Sequence, residues 1–145
     1  MFITRATRHD RDDIRQLLAA QGWTDSDLSE GVTYFARDGR VVGCVRLIEV
    51  EPQKVVVDDV LVEESRRGEG IGGDLMRAAM NAMGGVLYLC CHEELIVFYD
   101  GFGFSEVASH DLPDAVRAYL DRTGDLNPEP GHVHHFMTAR KTEES

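Results

Sequence analysis

The spacing of apolar positions changes several times along the chain. Phe2–Ala6 reads as a short strand. Ile14, Leu17 and Leu18 then recur at helical intervals, with Asp10 placed to cap the helix and Gln21-Gly22 to stop it. Thr24–Glu30 is polar and predicts a short second helix or a loop. From Val32 the period shortens to two. Val32–Ala36 and Arg40–Leu47 flank Arg37-Asp38-Gly39, a hairpin turn. Glu51-Pro52-Gln53 marks the next turn, and Lys54–Val62 is a third β-branched run, so the three strands form an antiparallel meander.

Helical spacing returns over Gly70–Met83, through Leu75, Met76, Ala79, Met80 and Met83, with the methionines as core filler. Gly84-Gly85 ends that helix and Val86–Cys91 follows as a compact apolar strand. Glu93–Tyr99 predicts a helix stopped by Asp100-Gly101, Phe102–Val107 a strand, and Leu112–Arg122 a helix. A Pro/Gly loop over Thr123–Gly131 leads to a last strand near His132–Arg140. The expected architecture is one α/β (α+β) domain over residues 1–145, with its core at about 3–140 and a frayed tail at 141–145. Its sheet is mixed and mostly antiparallel, with about six or seven strands and flanking helices.

Composition fits a folded chain: 145 residues, 43% hydrophobic and 28% charged. Fifteen Lys and Arg against 26 Asp and Glu give a formal charge of −11, which argues against nucleic acid and anionic membranes as partners. The first residues lack the apolar core of a secretory signal, and no apolar run approaches a membrane span. Cys44, Cys90 and Cys91 are an odd count and predict free thiols, so the expected compartment is the cytoplasm.

Candidate chemistry concentrates after the third run, in Glu63-Glu64-Ser65-Arg66-Arg67-Gly68-Glu69-Gly70-Ile71-Gly72-Gly73. The segment leaves a strand, passes two arginines and opens a helix. Glycines let main-chain N–H groups approach a ligand, the helix N-terminus adds partial positive charge, and arginines donate bidentately. This is a pyrophosphate site inside an acidic chain. Gly68, Gly70 and Gly73 also match a dinucleotide-binding fingerprint, but five residues part the strand from the first glycine, where that fold has a tight turn. No Gly-Lys-Ser/Thr follows, which excludes the P-loop.

Arg67-Gly68-Glu69-Gly70-Ile71-Gly72 resembles the R/Q-x-x-G-x-G/A signature of the GNAT superfamily of acyl-CoA-dependent N-acetyltransferases. Phe98-Tyr99-Asp100-Gly101-Phe102-Gly103-Phe104 is similar to that family's second motif, and Asp38–Gly43 to its usual hairpin. The resemblance runs from about Ile3 to Arg140. It implies a splayed central strand pair, acetyl-CoA as cosubstrate, and no metal. Arg66, Arg67, Gly68, Glu69, Gly70, Ile71, Gly72 and Gly73 would hold the pyrophosphate. Main-chain groups of Val60, Leu61 and Val62 would hold the pantetheine arm and polarise the thioester carbonyl.

Tyr99 matches the family's general acid, a phenol near the leaving sulfur. Asp58 and Asp59 sit in mid-strand, where alternation sends one inward and one outward. Asp58 shares the face of Val60, which in the family looks toward substrate, and is the candidate base; Asp59, Glu63 and Glu94 stand behind it. His92 occupies a position where the family often carries Asn, and either contacts cofactor or caps the helix at Glu93. Trp23, Asp59, Arg46 and Arg117 are candidate substrate contacts, the arginines for the carboxylate of an amino acid.

The acidic stretch Glu49–Glu64 instead suits a cationic amine such as a polyamine. Helix Leu112–Arg122 resembles branches that act on free amino acids. The function implied is acetyl transfer to a primary amine of a small molecule, by direct attack in a ternary complex. The alternative is a silent acyl-CoA-binding or regulatory module on the same fold. A homodimer is an expected assembly. Cys90 and Cys91 fall on opposite strand faces and predict core thiols; His132 and His134 share a face, and without a third ligand they read as an exposed edge strand.

Overall fold

A computed structural model of the chain describes residues 1–141. The expected tail lies, from residue 142 on, outside the described residues. The strands are β1 (Phe2–Arg5), β2 (Val32–Asp38), β3 (Arg40–Glu51), β4 (Lys54–Val62), β5 (Gly85–Cys91), β6 (Ser105–Val107) and β7 (His135–Lys141). The helices are α1 (Arg11–Ala20), α2 (Ile71–Ala82), α3 (Ile96–Asp100) and α4 (Asp114–Thr123). The strands bond into one sheet in the order β1-β2-β3-β4-β5-β7-β6. The ladders of β1 with β2, β2 with β3, β5 with β7 and β6 with β7 are antiparallel. That of β4 with β5 is parallel and pairs only Lys54–Val56 with Val86–Tyr88. No described helix is long and apolar enough to cross a membrane.

The described residues form two compact units, Met1–Ile48 with Val57–Met83, and Glu49–Val56 with residues 84–141. In the first unit, Gly39 takes φ +77° to close the β2–β3 hairpin. The stripe Ile14, Leu17 and Leu18 of α1 packs on Leu28, Phe35, Val41, Cys44 and Leu61. Each such side chain, fully buried, contributes about 1.5–3 kcal/mol. Helix α2 buries Ile71, Leu75, Met76 and Ala79. It comes close to β3 because Gly43 has no side chain; a Cβ there would meet Leu75 Cδ1 at 2.8 Å and Leu61 O at 3.3 Å.

One local expectation for this unit changes, and one open alternative is decided. Asp10 does not cap α1 with its side chain; its carboxylate turns back to accept from Thr7 N (2.8 Å), completing a capping box around the turn Arg8–Asp10. Thr24–Glu30 is a loop, anchored by buried Leu28.

In the second unit, Leu87, Leu89, Phe104, Leu112, Val116, Leu120 and Met137 are buried. Strand β6 is shorter than expected, because Phe104 is spent in the core just before it. Helix α4 starts at Asp114, since Pro113 holds the residue before it extended (Leu112 φ −70°, ψ 141°). Strand β7 begins at His135 and lies between β5 and β6, so His132 and His134 precede it and are not on an edge strand.

Candidate active site

The segment from Val62 to Gly73 is built around two left-handed glycines. Glu63 N–H donates to Val42 O (2.8 Å), then a single 3-10 turn spans Glu64–Arg66. Gly68 (φ +86°) and Gly70 (φ +84°) flank Glu69, a conformation that disfavours residues with a Cβ. The first bond of α2 runs from Asp74 N–H to Gly70 O (3.0 Å), so the N–H groups of Ile71, Gly72 and Gly73 precede the ladder. A Cβ at Gly68 or Gly70 would meet nothing within 4 Å. Main-chain donors thus border open space, an arrangement able to receive a pyrophosphate.

The arginines beside it are not idle. Arg66 bonds Glu69 through Nε (3.0 Å) and Asp38 through Nη2 (3.0 Å). Arg67 donates from Nε to Val62 O (3.1 Å), which ties the loop back to the end of β4. An incoming anion would therefore recruit Arg66 by exchange from two exposed carboxylates, a small cost in water. Near this loop, in the same unit, lies a cavity of about 580 Å³ walled by Gln16, Gln21, Arg37, Arg40, Glu63 and Ser65 among others. Its walls come from α1, the hairpin tip and the end of β4, so no single motif announced it.

The acidic pair departs from simple alternation. Asp59 has φ +51°, a left-handed residue inside β4, and its N–H is held by Asp58 Oδ1 at 2.8 Å. The bend brings both carboxylates to one guanidinium. Arg46 Nε bonds Asp59 Oδ2 at 2.8 Å, and its Nη2 lies 3.7 Å from Asp58 Oδ2. The expectation of one inward and one outward acid is thereby corrected. Asp59 also accepts from Ser26 Oγ (2.8 Å). Burial and the neighbouring Asp58 charge push the Asp59 carboxyl above its ordinary range, over the opposing pull of Arg46 and Ser26.

Arg46 is 3% exposed and its Nη1 donates to Asp27 O (2.9 Å) and Glu30 O (3.1 Å). It fastens the loop 24–30 to β3 and β4, so the role expected for it, holding a substrate carboxylate, gives way to a positioning one. Asp59 is likewise held inside, whereas the Asp58 side chain keeps about 25% exposure. Glu63 is bound by Arg40 through two bonds (2.8 and 2.6 Å), which hold its carboxyl low and make it a weak base. Trp23 stands 40% exposed after α1, beside the loop that Arg46 organises. Main-chain groups of Val60, Leu61 and Val62 continue β4 beyond the bend.

In the second unit Tyr99 closes α3 and is 5% exposed. Its ring packs edge-on against Phe98 (5.0 Å) and Phe104 (5.9 Å), within an aromatic cluster. His92 precedes the turn Glu93–Leu95 but makes no side-chain cap bond; that expectation is corrected. Its ring lies instead against His134 (5.3 Å) and His132 (6.2 Å). Arg117 donates from Nη1 to Ser109 O (3.1 Å), bracing the start of α4, and Glu94 is exposed.

Residues 29–106 match the acetyltransferase (GNAT) domain family. No curated protein matches the chain at a significant level. Among solved structures, Rv2747 from Mycobacterium tuberculosis, in complex with CoA and NLQ, superposes with a TM-score of 0.73 at 18% identity, covering 98% of this chain and 100% of its own. Escherichia coli ElaA gives 0.72 at 20% identity, with 96% and 99% covered. N-acetylglutamate synthase from Neisseria gonorrhoeae, complexed with coenzyme A and N-acetyl-glutamate, gives 0.72 at 18%; it covers 99% of this chain, which spans 36% of the synthase chain. At such identities the likeness is one of fold.

Proposed function

The chain belongs to the GNAT acetyltransferase domain family, and from that membership we propose that it transfers acetyl from acetyl-CoA to a primary amine of a small molecule within a ternary complex. The observation that carries this reading is the open cradle of main-chain donors at Gly68–Gly73, bordered by Arg66 and Arg67. Residues 3–140 act as one N-acetyltransferase domain. Cys44, Cys90 and Cys91 form no disulfide, in keeping with a cytoplasmic site of action.

Acetyl-CoA supplies an acyl group activated as a thioester. N–H groups of Ile71, Gly72 and Gly73 would orient its pyrophosphate, with Gly68, Glu69 and Gly70 shaping the loop. Main-chain groups of Val60, Leu61 and Val62 would align the pantetheine arm and polarise the carbonyl; such a donor is worth about 2.7–4 kcal/mol at a developing oxyanion. Asp58, the less buried member of its pair, takes the proton that the amine loses as its nitrogen bonds the acyl carbon. Tyr99 gives its hydroxyl proton to the sulfur as the carbon–sulfur bond breaks, and is reprotonated from solvent.

The Asp58–Asp59 pair shares one guanidinium and leaves net negative charge, which attracts an ammonium group. With Arg46 committed internally, a polyamine-like amine is favoured over an amino acid, for which Arg117 would be the remaining carboxylate partner.

The test is release of free thiol from acetyl-CoA across a panel of polyamines and amino acids, with calorimetry of acetyl-CoA binding alongside. Turnover on at least one amine is expected. Tyr99→Phe should lower kcat by roughly 10²–10⁴ while leaving acetyl-CoA affinity intact. Binding without turnover on any amine would favour the silent acyl-CoA module, and no binding would defeat the cradle reading.

A further inference from the structure

The second unit gathers side chains for which acetyl transfer has no use. Cys90 lies one position before the end of β5, Asp125 in the loop after α4, and His134 just ahead of β7. One ligand atom from each lies within 4.8 Å of the other two. An equilateral triangle of that side has its centre about 2.8 Å from each vertex, and zinc bonds of about 2.0–2.3 Å need contraction of only about half an ångström per side chain. All three residues are partly exposed, so an ion has a route in.

The setting of His134 suits a metal. His134 Nδ1 lies 2.8 Å from the main-chain O of Asp125. A carbonyl only accepts, so the neutral ring carries its proton on Nδ1 and its lone pair on Nε2, the usual outer-shell arrangement of a ligating histidine. Cys90 is the last residue but one of β5, and His92 follows the end of that strand. The His92 ring stands 5.3 Å from that of His134, at 80° to it. Cys91, between them, turns to the core, its Sγ 3.8 Å from Met137 Sδ.

We propose that Cys90, Asp125 and His134 form a binding site for Zn²⁺, with water completing the fourth position. The donor set is mixed sulfur, nitrogen and oxygen. Magnesium and calcium take oxygen donors, whereas thiolate with imidazole suits zinc. Binding displaces one proton from the Cys90 thiol to solvent, and the thiolate–metal bond replaces it. The ion joins the end of β5, the loop after α4 and the approach to β7, three segments remote in sequence. It stands independently of the acetyl-transfer reading.

The experiment uses the full chain, stripped with chelator and titrated with Co²⁺, then with Zn²⁺ in competition. One equivalent of Co²⁺ should give the intense visible absorption of a tetrahedral site and a near-ultraviolet sulfur-to-cobalt band, both lost as Zn²⁺ displaces it. Cys90→Ser should abolish the sulfur band, His134→Gln should weaken affinity at least tenfold, and His132→Gln should leave it unchanged. In unmodified protein, Zn²⁺ should also slow alkylation of Cys90, a readout that needs no variant. Substoichiometric binding, a weak octahedral spectrum, full affinity in Cys90→Ser, or unprotected Cys90 would each overturn the site.

Discussion

Replacing Arg46 by Met separates a positioning role from a substrate-binding one. Methionine keeps much of the side-chain volume and removes the guanidinium. Asp59, whose side chain is 9% exposed, then loses its closest cation, and the carbonyls of Asp27 and Glu30 lose their donor. The carbonyls belong to a surface loop and can turn to water, so the carboxylate dominates the cost. Breaking one side of a buried ion pair costs about 3–5 kcal/mol. For chains of about 150 residues, each kcal/mol lowers Tm by roughly 2–4 °C, so a fall of about 6–20 °C is expected.

The pH dependence sharpens this. The Asp59 carboxyl already sits above its ordinary value, so the stability it contributes is fully present at acid pH and is lost as pH rises through the folded value. Without Arg46 the carboxyl rises further and that loss deepens. Urea unfolding at pH 5 and pH 8 should therefore show a larger penalty at pH 8. Limited proteolysis should cut within residues 24–30 sooner in the variant. A penalty below about 1 kcal/mol, or one that shrinks with pH, would refute the buried-pair account.

Other perturbations isolate single features. Asp58→Asn removes the carboxylate that takes the proton from the amine and should lower kcat by roughly 10²–10⁴; because it also removes the like charge beside Asp59, it should not lower stability, and unchanged kcat would remove Asp58 as base. Gly85→Ala forces a Cβ to 2.6 Å from Gln53 O at φ +95°, and should cost about 2–4 kcal/mol in chemical denaturation. Gly70→Ala meets open space, so only the left-handed backbone opposes it, at about 1–2 kcal/mol. The added methyl borders the donor cradle, and calorimetry should show acetyl-CoA affinity reduced about tenfold, or 1.4 kcal/mol.

Much of this protein is written locally. Lys54–Val62 is a strand because β-branched residues fill it, and the turn at Gly39 is a hairpin because only a left-handed residue closes it. The loop from Arg66 to Gly73 is legible for the same reason: its glycines, its arginines and the helix they open are neighbours in sequence. Tyr99 stands out through its motif, while its burial between Phe98 and Phe104 depends on the fold around it.

The tertiary structure alone decided where the charges meet. Alternation assumes an unbroken strand, and one left-handed residue at Asp59 reverses it, held by bonds from Arg46 and Ser26 that no local pattern announces. Likewise Cys90, Asp125 and His134 come together only because β7 inserts between β5 and β6 and the loop after α4 returns to it. Local sequence sets backbone preference over a few residues. Which distant side chains share a space is set by strand order and by the burial that makes an unpaired charge too costly to leave alone.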